Sequence, residues 1–253
     1  MSNVTTIVDR GVREPAQLTN MRLGISTMLE LQDAPEGSPR LGLFYGPSGY
    51  GKSVAAATIA ARMDAAYVVA RSVWTATTLL QAIAREIGII APRRNRADLL
   101  DQINQQFLRE PQPLIIDEMD CLVKSDKTIE VIRDIHEGGA IPILMIGEEA
   151  LPAKLARPDL EKFDNRILVK TPAQPSSLAD AKLLRDYYCT RVNVADDLVE
   201  AILHAHRGRT RRIVVDLQRA QSAAINGGEA FIDLRAWGDR RFATGDVAIR
   251  KVA

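Results

Sequence analysis

The sequence predicts an α/β fold: a parallel five-stranded sheet with helices on both faces, followed by a small helical subdomain. Three observations predict it. Short apolar runs alternate with segments of helical periodicity between residues 41 and 170, the pattern of strands joined by crossover helices and buried on both faces. A glycine-rich loop, Gly46-Pro47-Ser48-Gly49-Tyr50-Gly51-Lys52-Ser53, stands between the first strand and the helix after it. After residue 177 the strand signal stops and three helical segments follow one another.

Each element has its own justification. Residues 1–14 are polar and read as an extension. Over 15–30, Leu18, Met21, Ile25, Met28 and Leu29 fall at helical spacing. A turn-rich loop, 33–40, leads to a buried strand at 41–45. The glycine loop opens an Ala-rich helix, 52–63, and residues 66–70 form a second strand. An amphipathic helix over 75–87 ends at Gly88. The basic loop 91–96 precedes a helix over 96–110, which Pro111 and Pro113 stop. The third strand is 114–117, and a helix over 128–136 ends at Gly138-Gly139. The fourth strand is 141–146, a short helix covers 149–156, and the fifth strand is 167–170. Residues 171–177 read as a linker. The helical subdomain, 172–226, holds segments 178–190, 196–206 and 211–224, and 227–253 reads as a tail.

Composition excludes several classes. The 33 Lys and Arg balance the 32 Asp and Glu, so the chain does not hold nucleic acid by bulk charge. Hydrophobic residues make up 46%, enough for a core. Cys121 and Cys189, with three His, build neither a disulfide framework nor a four-ligand zinc site. They read as buried thiols in a reducing compartment. No stretch reaches the roughly 18 apolar residues of a membrane span, and the N-terminus lacks a signal-peptide core. The expectation is a cytoplasmic protein with no membrane partner.

The loop 46–53 matches G-x-x-x-x-G-K-[ST] in full. Its glycines let backbone N–H groups surround a phosphate at a helix N-terminus. Lys52 would reach the β- and γ-phosphates, Ser53 would ligate Mg²⁺, and the cradle would run from Gly46 through Val54. The strand 114–117 ends in Asp117-Glu118. Asp117 would hold the water shell of Mg²⁺, and Glu118 would polarise the attacking water as general base. A further strand and two helices between Lys52 and Asp117 argue against a small nucleotide kinase.

At these residues the chain resembles the AAA+ ATPases over roughly 15–225, with the helical subdomain as their lid. The order of pieces looks like the transposition ATPases: the phage Mu B protein and its Tn7-type and TniB-type relatives. Thr19-Asn20-Met21-Arg22, LFYGPSGYGKS, PLIIDEMD, ILMIGEEAL and Gly208-Arg-Thr-Arg-Arg-Ile213 carry the likeness. ExeA-type ATPases acting on a protein partner, and helicase loaders, are the alternatives. The resemblance implies a polar residue facing the γ-phosphate at Glu148, where the family more often has Asn, Thr or Gln. It implies a trans-acting arginine at Arg166, with Arg157 as the other candidate. It implies a lid arginine at Arg211, with Arg209 and Arg212 as neighbours in register. ATP, Mg²⁺, a homo-oligomeric ring or helical filament, duplex DNA and a transposase follow as expected cofactors and partners.

Among nucleic-acid signals there is no helix-turn-helix, zinc finger or RNA-binding aromatic motif. The local cations are Arg71 after the second strand, Arg93, Arg94 and Arg96 in one loop, and Lys124 and Lys127 after the acidic strand. In an assembly such loops would follow a phosphate backbone without reading bases. The tail carries Arg240, Arg241, Arg250 and Lys251 with Trp237.

Overall fold

The computed structural model describes residues 17–35 and 37–243. The expected extension over 1–14 lies outside these residues, as do Arg250 and Lys251.

Five strands form one parallel sheet: β1 (Leu41–Tyr45), β2 (Ala66–Val69), β3 (Leu114–Asp117), β4 (Ile143–Gly147) and β5 (Ile167–Pro172). Their spatial order is β2-β3-β4-β1-β5. The acidic strand β3 is therefore separated from the phosphate-loop strand β1 by β4. Successive side chains of a strand point to opposite faces, and here both faces are apolar. Leu41, Leu43, Leu114, Ile116, Ile143 and Met145 pack on one side. Phe44, Ile115, Leu144 and Ile146 pack on the other. This is why the strands read as unbroken apolar runs.

Helices α1 (Thr19–Gln32) and α2 (Lys52–Met63) cover the second face through Met21, Met28, Leu31, Ala55 and Ile59. Helices α3 (Ala76–Glu86), α4 (Arg96–Arg109) and α5 (Asp126–Gly139) cover the first through Leu79, Ile83, Ile103, Phe107 and Ile132. Two short helices, α6 (Leu151–Leu155) and α7 (Glu161–Asp164), lead from β4 to β5.

The second unit is built on α8 (Leu178–Tyr188), α9 (Asp196–His206) and α10 (Thr210–Asn226), around Leu184, Leu198, Ile202, Ile213 and Leu217. Three expectations differ from the structure here. Strands do not stop at the sheet: β6 (Asn193–Val194) and β7 (Phe231–Ile232) form a parallel pair. Nor does a separate tail begin at 227. Trp237, in α11 (Leu234–Trp237), is 2% exposed within the same apolar cluster and stacks on Phe242. Ala243 N donates to Asp216 Oδ2 at 2.8 Å. The segment through Ala243 is thus part of the helical unit. The expected linker is also shorter, because β5 runs on through Pro172 and Thr171 is hydrogen-bonded to Thr27 at 2.8 Å.

Candidate nucleotide site

The loop after β1 turns because two of its glycines, Gly49 (φ 87°) and Gly51 (φ 82°), take left-handed backbone, which residues with a Cβ adopt only at a cost. Gly51 is the N-cap of α2, so the first N–H groups of that helix open into the loop. Lys52 Nζ donates to Gly46 O at 2.6 Å and to Pro47 O at 3.0 Å. The ammonium therefore lies folded over the loop in which a phosphate would sit. Burial pushes the Lys52 pKa down, against the opposing pull of Asp117, Glu148, Glu118 and Asp120.

Asp117 ends β3 and is 3% exposed. Glu118 follows it with φ 56°, a left-handed backbone for a residue with a side chain. That turn sends Glu118 N back to Asp117 Oδ1 at 2.8 Å and starts the 3₁₀ turn Met119–Cys121. Asp117 Oδ2 accepts from the Tyr67 hydroxyl at 3.0 Å. Partial burial raises the Glu118 pKa, and the like charges of Asp117 and Glu148 raise it further against Lys52. Asp120 Oδ2 accepts from Glu148 N at 2.6 Å, and Asp120 Oδ1 from Lys154 Nζ at 2.7 Å. Asp120 thus ties the acidic turn to the end of β4.

These parts line one cleft of about 310 Å³. Ser48, Gly49, Gly51, Lys52, Ser53, Asp117, Glu118 and Glu148 form its polar wall. Leu18, Leu184, Tyr188, Val214 and Val215 form an apolar wall contributed by the helical unit and the segment before α1. Arg211 lines the cleft, and its backbone N donates to Gly49 O at 3.0 Å, joining α10 to the phosphate loop. One polar half and one apolar half fit a nucleotide, phosphates on the first and base on the second. The oxygen donors Ser53 and Asp117 suit a hard cation such as Mg²⁺, which takes few protein ligands and completes its shell with water and phosphate oxygens. Among the described residues no group of three or more His, Cys, Asp or Glu could hold a metal by itself.

Sequence patterns missed Tyr67, Asp120 and the whole apolar wall. Asp120 stands inside the run PLIIDEMD, but nothing in the linear order says that it reaches Glu148.

Arg166 is placed apart from this cleft. It precedes β5, whose Ile167 pairs with Leu41 at the amino end of β1, and its guanidinium pairs with Glu137 near the end of α5 at 2.5 Å. The phosphate loop leaves the opposite end of β1, so Arg166 does not reach the nucleotide of its own chain. Arg157 instead pairs with Asp126 in the first turn of α5.

The six cations are all exposed, but Arg96 and Lys127 stand in the first turns of α4 and α5 rather than in loops. Arg71 follows β2, and Lys124 and Lys127 follow β3, so these three lie at the carboxyl ends of neighbouring strands. Gly139, ending α5, packs on Phe107 near the end of α4. Each helix then reaches the start of a strand within a few residues. Both therefore run toward the amino end of the sheet, and the first turn of α4, with Arg96, faces the carboxyl end. Gln102 holds the preceding loop against α4, accepting from Arg93 N at 2.9 Å and donating to Ala91 O at 3.1 Å.

Comparison with known proteins agrees with this architecture. Residues 36–155 match the family model described as AAA domain. The Cell division protein C of Sulfolobus acidocaldarius is 23% identical over 203 residues, 74% of this chain and 50% of that protein. The Orc2 protein of Aeropyrum pernix, in ADPNP–ADP complexes, superposes with a TM-score of 0.66 at 18% identity, over 84% of this chain and 64% of that one. The Orc1 protein of Aeropyrum pernix, in complex with DNA, gives a TM-score of 0.61 at 19% identity, over 87% and 63%. The chain thus spans half the length of the curated relative and under two thirds of these solved chains. No helix among the described residues is long and apolar enough to cross a membrane. The match over residues 36–155 and these superpositions give the five-stranded sheet the fold of the AAA+ P-loop ATPases.

Proposed function

We propose that the chain is a Mg²⁺-dependent AAA+ ATPase that assembles with ATP on duplex DNA. The observation that carries the ATPase reading is the joining, in one cleft, of Lys52, Ser53, Asp117 and Glu118 with an apolar wall that would hold the base. Lys52 would exchange its two loop carbonyls for the β- and γ-phosphates. Ser53 and Asp117 would hold the metal, Asp117 through water. A Mg²⁺ held there would supply positive charge against the charge developing on the phosphates. Glu118, at the rim of the cleft, would take the proton of the attacking water. Arg211 would close over the same nucleotide from the lid, and Arg166 would serve the site of a neighbouring subunit. Glu148 would sit beside the γ-phosphate with its backbone set by Asp120.

The DNA reading is supported by the exposed cations Arg71, Arg96, Lys124 and Lys127 toward the carboxyl end of the sheet, and by the DNA-bound Orc1 among similar folds. The finer reading is a regulator of DNA transposition that marks target DNA, with hydrolysis stimulated by a transposase. It rests on the motif resemblance and the order of pieces. The domain reading is a P-loop unit over 15–171 and a lid from 172, extended through Ala243. The test is nucleotide binding and hydrolysis by wild type, Lys52→Ala and Glu118→Gln. Loss of tight ATP binding in the first variant, and binding without turnover in the second, is the expected result. Hydrolysis by Glu118→Gln at the wild-type rate overturns the assignment of the base.

A further inference from the structure

The metal-binding acid of this cleft is held by a residue that no motif contains. Asp117 is buried, and each of its carboxylate oxygens accepts one hydrogen bond. Oδ1 takes the Glu118 backbone N–H at 2.8 Å, and Oδ2 takes the Tyr67 hydroxyl at 3.0 Å. Tyr67 stands on β2, the strand at the edge of the sheet. In the register of β2 with β3, Tyr67 lies opposite Ile115 while Val69 lies opposite Asp117. The tyrosine thus reaches two positions along the neighbouring strand, the diagonal that long aromatic side chains can span.

A carboxylate offers about four lone-pair sites on its two oxygens. Here one site on each oxygen is taken by a fixed donor, and rotation about the Cβ–Cγ bond breaks both bonds at once. We infer that Tyr67 is a positioning residue for the metal site: its hydroxyl fixes the plane of the Asp117 carboxylate so that the free lone pairs stay toward the Ser53 side of the cleft. A phenol is neutral at ordinary pH, so the hydroxyl is a donor to the carboxylate. Without the hydroxyl, Asp117 keeps a single anchor, the N–H of Glu118, whose own backbone is left-handed. The inference rests on the nucleotide reading of the cleft.

Tyr67→Phe removes one oxygen and keeps the ring that packs between β2 and the helices. Binding of a fluorescent ADP analogue would be titrated without metal and then with Mn²⁺, with bound Mn²⁺ followed by electron paramagnetic resonance. Thermal unfolding of the metal-free protein would be recorded in parallel. The expected result is metal-free ADP affinity within about twofold of wild type and a Mn²⁺ half-saturation raised about tenfold, the usual scale for losing a partner of a metal-site residue. A purely structural tyrosine gives a lower unfolding temperature with wild-type Mn²⁺ half-saturation, and that result overturns the inference. Asp117→Asn separates the two levels. If it also keeps wild-type Mn²⁺ affinity, Asp117 is not at the metal, and the failure belongs to the nucleotide-site reading and takes the inference with it.

Discussion

Glu118 is the residue on which hydrolysis should turn. Its carboxyl lies among Asp117, Glu148 and Asp120, with Lys52 the main opposing charge. A general base contributes about 100-fold to 10,000-fold to a rate, so Glu118→Gln should bind ATP and lose at least about 100-fold in kcat. The base works only when ionised, and burial with like charges holds its pKa above the ordinary glutamate value. Activity should therefore fall on acidification from a higher pH than an isolated glutamate would set. Glu148→Gln removes one like charge, so it should move that acidic limb to lower pH. A kcat profile over pH for both proteins checks it, and a limb that stays put removes Glu148 from the electrostatics of the base. Lys52, Ser53, Asp117 and Glu118 were legible because the phosphate loop and the strand-end acids are contiguous in sequence. Tyr67, Asp120 and Leu184 were not, because their roles exist only once β2, the acidic turn and the lid are brought together.

Among the elements, the join between α1 and the lid carries the most specific chemistry. Asp180, in the first turn of α8, is 2% exposed and accepts four hydrogen bonds. Thr19 N and Oγ1 bind one of its oxygens at 2.8 and 3.1 Å, and Ser177 N and Oγ bind the other at 2.8 and 2.9 Å. Burial alone would raise its pKa, but these bonds outweigh it and hold the carboxyl below its ordinary value. A depressed folded-state pKa gives stability that is present above the unfolded value, near 3.8, and is lost as pH falls through the folded value. Asp180→Ala should cost about 3 kcal/mol at neutral pH, given several charge-assisted bonds and a helix cap. Asp180→Asn should lose part of that and flatten the acid dependence. Urea unfolding at pH 7 and near pH 3 measures both, and an unchanged midpoint at pH 7 in Asp180→Ala would show that the join does not stabilise the fold. Of the elements themselves, β3 and α9 were read to the residue, since Asp117 and His206 close clear patterns. The pair β6 and β7 was not, because two-residue strands fall below any periodicity, and what holds them is α10 packed against both, with Val194 and Ile232 in one apolar cluster.

At the scale of the whole molecule, the placement of Arg166 demands a second subunit if it is to touch a phosphate. Arg166→Ala should then bind ATP normally and hydrolyse poorly, and mixing it with Lys52→Ala should partly restore turnover, one chain supplying the arginine and the other the site. Absence of rescue, with hydrolysis unchanged by dilution, would confine Arg166 to its pair with Glu137. On the proposed function, assembly would govern DNA binding in the same way. A chain of net charge +1 has no bulk attraction for a duplex, yet each subunit exposes Arg71, Arg93, Arg94, Arg96, Lys124 and Lys127. Affinity falls with salt with a logarithmic slope of about −0.9 for each phosphate neutralised. One subunit neutralising a few phosphates binds weakly, and a row of subunits on one duplex multiplies their number. Binding to a random duplex should therefore require a non-hydrolysable ATP analogue, vanish with ADP or no nucleotide, and weaken steeply between low and moderate salt. Lys124→Ala/Lys127→Ala should still bind ATP and lower the salt slope by about one unit for each phosphate that is no longer neutralised. Arg93→Ala/Arg94→Ala tests the α4 loop in the same way. If the analogue-bound oligomer forms and does not bind DNA at low salt, the exposed cations face a protein partner, as the ExeA-type alternative requires.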